Sequence, residues 1–271
     1  MIEFGEYNDI VSYVKTAKEY NNDAIMWAYS YRIADVMFDC GCQNSKDEMK
    51  EYLLKNPGVM HLYITHSHED HSGNASLFLP DAVIYAHPAA RETLLSPPEL
   101  NEFFAWVWGQ PDPLDSVVDM PEEFSVGDLH FRTIELFGHA YDMVGFYEPN
   151  NQWLFSADAV PVPSRKSMAM PEENIPQMIV TMEKILSLDI KVLFDSHRGP
   201  IESPQEYITK RIDYLKDLQA RIKVLDNEEM TIEQIQKELG IEGPWYMDLT
   251  GERFSIGHLI NSLLNDIADS E

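Results

Sequence analysis

Cysteine is scarce in this chain: there are two in 271 residues, Cys40 and Cys42, with Gly41 alone between them. A disulfide across so short a loop would be strained, and one pair is no framework for an oxidising compartment. Basic residues are also few, with 20 Lys and Arg against 46 Asp and Glu, a formal net charge of −26. Such a surface repels phosphate backbones and anionic headgroups, which argues against nucleic acid as the partner. No apolar run approaches the length that crosses a bilayer. The first twenty residues, MIEFGEYNDIVSYVKTAKEY, interleave charge with apolar residues and lack the apolar centre of a signal peptide. Internal repeats and low-complexity tracts are missing as well. These absences lead us to expect a cytoplasmic protein, off the membrane, that meets a small-molecule substrate.

Apolar residues make up 44% of the chain, enough for a large buried core. Strand-like and helix-like stretches alternate, which indicates an α/β domain. Residues 24–30 and 32–38 read as a hairpin, 60–65 as a short buried strand, and 82–86 as another. Further strands are expected over 129–136, 143–147, 152–156 and 192–194. Helical spacing marks 46–55, 172–187, 203–225, 231–239 and 254–266, with Thr231 and Gln234 set as a capping box. We expect a catalytic domain over 1–228 and a helical extension over 229–271 packed on it. Residues 96–123 carry five prolines together with Phe103, Phe104, Trp106 and Trp108. That segment reads as a long loop or lid, serving either as an aromatic cap on a pocket or as a homodimer contact.

The chemistry concentrates where strands end. His66, His68, Asp70 and His71 follow one strand, His139 a second, Asp158 a third and His197 a fourth. Strand ends are where sites assemble in α/β folds, and imidazole with carboxylate suits zinc, iron or manganese. Three histidines within six positions are poor core material and would repel one another if protonated.

His66-Ser67-His68-Glu69-Asp70-His71 resembles the HxHxDH signature of the metallo-β-lactamase superfamily. Gly138-His139-Ala140 is similar to that family's third histidine turn, Ser156-Ala157-Asp158 to its bridging aspartate, and Ser196-His197-Arg198-Gly199-Pro200 to its last histidine. Phe38-Asp39-Cys40-Gly41 resembles the early element whose Asp supports the metal loop. The resemblance implies an αββα four-layer sandwich. It also implies two divalent ions per chain, zinc being expected and iron or manganese compatible. His66, His68 and His139 would hold one ion, Asp70, His71 and His197 the other, with Asp158 bridging both. Asp70 and Asp158 would be the catalytic carboxylates, acting with a hydroxide between the ions on an ester-like carbonyl.

The ligand set selects a branch. The β-lactamases with a cysteine ligand carry it where this chain has Asp158, and the diiron flavoproteins carry glutamate where it has His68. The pattern looks instead like glyoxalase II, the acyl-homoserine lactonases and the tRNA-processing nucleases. Lactonases place a tyrosine where this chain has Pro161, with Tyr141 a conceivable substitute. A basic grip for glutathione is not evident: Lys210, Arg211, Lys216, Arg221 and Lys223 share a helix with many acids. The expectation is therefore thioester or lactone hydrolysis. The alternatives are phosphodiester hydrolysis, or sulfur oxygenation at a single iron on His66, His68 and His139. His258, in the C-terminal helix, is a candidate for facing the substrate or for packing.

Overall fold

The computed structural model describes residues 1–162 and 167–265. The chain opens with an antiparallel pair, β1 (Ile2–Glu6) and β2 (Ser12–Thr16), followed by a small ribbon of β3 (Glu19–Tyr20) and β4 (Asp23–Ala24). β5 (Ala28–Ile33) and β6 (Val36–Phe38) form the next hairpin, and helix α1 (Lys46–Lys55) leads to β7 (His61–Tyr63). The short α2 (Glu69–Ser72) carries the end of the histidine loop. β8 (Val83–Ala86), α3 (Arg91–Leu95), α4 (Glu102–Val107) and β9 (Val118–Asp119) complete the first half. The second half contains β10 (Glu123–Val126), β11 (Leu129–Glu135), β12 (Val144–Glu148), β13 (Trp153–Ala157), α5 (Ile175–Ser187), β14 (Val192–Asp195) and β15 (Gly199–Glu202). Helices α6 (Gln205–Asn227), α7 (Ile232–Leu239) and α8 (Ile256–Leu264) follow.

Two sheets result, in the orders β1-β2-β5-β6-β7-β8-β9 and β10-β11-β12-β13-β14-β15. Side chains alternate between the two faces of each strand, and that period of two builds the layers. Phe38, Tyr63, Phe146, Phe155 and Phe194 point between the sheets and form an aromatic middle layer. Met37, Leu62 and Ile64 point the other way, into a core with Met49 of α1 and Leu94 of α3. On the second sheet Tyr147, Leu154 and Leu193 face outward, onto α5, α6 and α8 through Met178, Ile208 and Ile260. The architecture is the αββα sandwich. Burying one such large apolar side chain is worth roughly 1.5–3 kcal/mol, so the strands are held by what lies on both faces.

Residues 229–265 add Ile235, Ile256, Leu259 and Leu263 to the same outer core as α5 and α6. Helix α7 starts at Thr231, whose side chain and Gln234 form the capping box. Helix α8 is shorter than the expected 254–266, and Asp266 lies outside the described residues. The hairpin turn falls at Ala34–Asp35 rather than at Tyr31, because Ala34 takes the left-handed conformation (φ 50°) that reverses the chain. The expected lid is partly core: Phe104, Val107 and Trp108 are buried against Cys42 beside Ile25, Met26 and Phe254. Among the described residues, no helix is long and apolar enough to cross a membrane.

Candidate metal centre

The two sheets turn the ends of β7, β13 and β14 toward one rim, and the loop between β11 and β12 opens onto it. Tyr63 ends β7, and the chain then runs through His66, His68, Asp70 and His71. Asp158 follows β13 directly, and His197 lies two residues past β14. Two glycines permit the close packing around these loops. A Cβ on Gly138, where φ is +127°, would stand 2.6 Å from the Met178 backbone nitrogen, and one on Gly73 would stand 2.5 Å from the Glu69 carbonyl oxygen.

All seven residues expected as ligands converge. His66, His68 and His139 offer ring nitrogens that lie within 4.8 Å of one another. So do donor atoms of Asp70, His71 and His197, and those of His66, His71 and Asp158. His68 Nδ1 is 3.1 Å from His66 Nε2 and 2.9 Å from His139 Nε2. Asp158 lies between the two groups. Its Oδ2 is 3.4 Å from His139 Nε2 and 3.0 Å from His197 Nε2, and its Oδ1 is 3.4 Å from His71 Nε2. Asp70 Oδ2 is 3.6 Å from His71 Nε2 and 3.7 Å from His197 Nε2.

Four of the five rings are fixed through the nitrogen that faces away from the cluster. His71 Nδ1 donates to Asp39 Oδ2 at 2.8 Å, His139 Nδ1 to Glu173 Oε1 at 2.7 Å, and His197 Nδ1 to the Trp27 carbonyl at 2.8 Å. His66 Nδ1 donates to the Thr65 hydroxyl at 3.1 Å, and that hydroxyl donates to Asp39 Oδ2 at 2.8 Å. These acceptors set the tautomers, so each of the four rings in its neutral form turns a lone pair toward the cluster. Asp39 also accepts the Thr65 backbone N–H at 2.7 Å and so ties the start of the loop to its middle. Asp142 accepts the Ser67 N–H at 3.0 Å. Asp195 accepts the N–H groups of His197 and Arg198 at 2.8 and 2.9 Å, and burial pushes its carboxyl up to about 6.

The electrostatics fit a cation. At most one N–H can point among the nitrogens of His66, His68 and His139, which leaves lone pairs facing lone pairs. Burial, reinforced by neighbouring imidazoles, holds His66 and His68 well below the usual histidine range. Burial opposes charge on His71 and His197 too, but Asp70 and Asp158 outweigh it: His71 is driven well up and His197 to about 9. Burial works against the Asp158 carboxylate, and His197 and His71 overcome it, holding that group well below its usual value. His71 Nε2 and Asp158 Oδ1 are buried without a hydrogen-bond partner. Orphaned buried donors of this kind, with three imidazoles on one side and mixed ligands on the other, are what metal ions satisfy.

Beside the cluster a cleft of about 170 Å³ is lined by His68, Ser72, Leu94, Leu100, Ala140 and Tyr141, among others. Tyr141 is 60% exposed at its rim. Pro161 instead lines a small cavity behind His139, Asp158 and His197. His258 Nε2 donates to the Glu252 carbonyl at 3.1 Å, and the residue borders a second groove that shares Glu172 with the cleft. In the long basic-containing helix, Lys210, Lys216 and Arg221 pair with Glu206, Glu183 and Asp217 on the surface. Sequence reading missed Glu173, Asp142 and the Trp27 carbonyl, none of which sits in a local pattern.

Comparison with known proteins bears on the same residues. A sequence profile described as metallo-beta-lactamase superfamily matches residues 33–206. A hydroxyacylglutathione hydrolase from Legionella pneumophila (strain Corby) is 26% identical over 144 residues, 51% of this chain and 48% of that protein. The chain thus spans about half the length of the curated relatives it matches. Among solved structures, a beta-lactamase domain protein from Burkholderia ambifaria superposes with a TM-score of 0.73 at 14% identity, covering 96% of this chain and 86% of that one. A metallo-beta-lactamase family protein from Thermus thermophilus gives 0.64 at 16% identity, covering 93% and 91%. These structural likenesses concern the fold.

Proposed function

Since this chain belongs to the metallo-β-lactamase superfamily, we propose that it is a hydrolase of ester-like carbonyl compounds, thioesters or lactones, working with two metal ions. The observation that carries this reading is the position of Asp158, whose two oxygens reach histidines of both donor groups. His66, His68 and His139 would hold one ion and Asp70, His71 and His197 the other, with Asp158 shared. Zinc suits this set, and iron or manganese would also be accepted. When bound, the ions supply Lewis acidity at the carbonyl and make water acidic enough to attack near neutral pH.

The protein's own groups account for the rest. Asp39, Glu173, Thr65 and the Trp27 carbonyl keep the rings aimed, so little reorganisation is needed during reaction. Asp70, whose Oδ2 is 3.6 Å from His71 Nε2 and 3.7 Å from His197 Nε2, would take the proton from the attacking water. The water oxygen bonds to the carbonyl carbon, the carbon–sulfur or carbon–oxygen bond breaks, and the leaving thiol or alcohol takes up a proton. The cleft holds the rest of the substrate against Leu94, Leu100 and Ala140. The name of the Legionella relatives, which states hydrolysis of an acylated glutathione, supports a thioester over a phosphodiester.

A side-by-side screen tests the reading. Metal-loaded protein is given acyl thioesters, lactones and p-nitrophenyl phosphodiesters, and oxygen uptake is followed with glutathione persulfide. The expected result is fastest turnover of a thioester or lactone. Faster phosphodiester cleavage, or oxygen consumption with persulfide, overturns it.

A further inference from the structure

Four carboxyl groups and one guanidinium line the cleft: Glu69, Asp112, Asp142, Glu172 and Arg253. Asp112 is paired with Lys46 at 2.5 Å. Arg253 is therefore the single cation among the described residues lining the cleft, and it comes from the loop leading into α8. Its guanidinium lies 5.5 Å from the Phe104 ring, and its Nη2 forms an ion pair with Glu172 Oε1 at 2.9 Å. Its Nε is buried and has no hydrogen-bond partner. Nε and Nη2 form the guanidinium edge that grips a carboxylate with two parallel N–H bonds. Glu172 holds one of those positions and leaves the other empty.

We propose that Glu172 occupies the anion-binding edge of Arg253 and thereby makes the cleft select substrates with neutral or cationic leaving groups over anionic ones. The assignment rests on the hydrolase reading for the identity of the substrate, but its geometry stands on its own. An incoming carboxylate has to displace Glu172 from Arg253 and then lie beside the freed Glu172 charge. A hydroxyl or alkyl end displaces nothing. A cationic end meets Glu172, and the fully buried Asp142 carboxylate, whose Oδ1 has no partner, favours it through its charge without touching it. The pair is partly exposed, at 37% for Arg253 and 31% for Glu172, so solvent and ligand can reach it. Glu172 acts here as a specificity-determining residue through Arg253.

The test is a matched set of three methyl ketones in which a CH2 replaces the thioester sulfur, ending in a trimethylammonium, a hydroxyl or a carboxylate. The three differ only at the far end, so whatever the metal centre contributes is common to them all. Binding is measured by calorimetry on metal-loaded wild type, Glu172→Gln and the double variant Glu172→Gln/Arg253→Met. Wild type is expected to bind the first two at least about tenfold more tightly than the carboxylate. Glu172→Gln should tighten the carboxylate about tenfold while leaving the hydroxyl compound within twofold, and adding Arg253→Met should erase that gain. Carboxylate binding in wild type equal to that of the hydroxyl compound, no gain in Glu172→Gln, or no binding by any of the three overturns the proposal. If the order holds while no thioester or lactone is hydrolysed, the hydrolase reading fails and the charge selection stands.

Discussion

The two halves of the donor cluster are built from different materials. One half is three imidazoles, His66, His68 and His139, and carries no formal negative charge. The other mixes the Asp70 carboxylate with His71 and His197. The first is braced by the Thr65 hydroxyl and by Glu173, which comes from the segment before α5. The second is braced by Asp39, at the end of β6, and by the Trp27 carbonyl ahead of β5. The first sheet thus braces both halves, through Thr65, Asp39 and Trp27, Glu173 adds a brace from the α5 segment to the imidazole half alone, and Asp158 is the side chain touching both halves. The lesson is that the cluster is a joint between the sheets, so its integrity depends on both being packed.

Removing the joint should have the largest effect. Asp158→Ala is expected to lower kcat/KM on the best thioester or lactone by about a thousandfold or more, since a shared ligand and its charge vanish together. A steady-state assay that found less than a tenfold loss would show that the halves do not act as a pair.

Next come the two braces, which sharpen the comparison because Glu173 serves the imidazole half alone, whereas Asp39 holds His71 directly and His66 through the Thr65 hydroxyl. Asp39→Asn and Glu173→Gln should each weaken metal retention by about 10- to 100-fold, measured by competition with a chromophoric chelator. Asp39→Asn should also lower the melting temperature, because its carboxylate accepts three hydrogen bonds in the buried loop. If Glu173→Gln retained both ions as wild type does, the imidazole half would need no brace and the contrast drawn here would fail.

Much of this was legible in the sequence. The histidine loop stood out because metal chemistry needs dense imidazole and carboxylate and a folding core does not, whereas His139, Asp158 and His197 were legible only through the small residues beside them and the order they share with the resembled family. Asp39 was visible in its Phe-Asp-Cys-Gly setting. Glu173 was not, since it lies 34 residues from His139 in the chain and meets it only through the packing of the α5 segment. Glu172 was hidden for the same reason. Strands β1 and β2 went unread because IEFGE and SYVKT mix charge with apolar residues at a sheet edge. β15 was obscured by Gly199-Pro200, which reads as a turn but pairs with β14 at the edge. The aromatic segment before β9 was read as a lid because prolines surround it. Cys42, Ile25, Met26 and Phe254 supply the apolar contacts that bury its inner face.

The smallest effect is expected at the rim. Tyr141 is mostly exposed and stands beside the cleft rather than among the donors. Tyr141→Phe should change kcat by less than about threefold. A loss of a hundredfold or more in single-turnover rates would place its hydroxyl in the reaction.

The most direct test is to count ions. Metal-free protein, titrated with Zn²⁺ against a competing chromophoric chelator, should take up two equivalents per chain, and His197→Ala should take up one with high affinity. Uptake of a single equivalent by wild type, or two undiminished equivalents by His197→Ala, would contradict the two-halved centre.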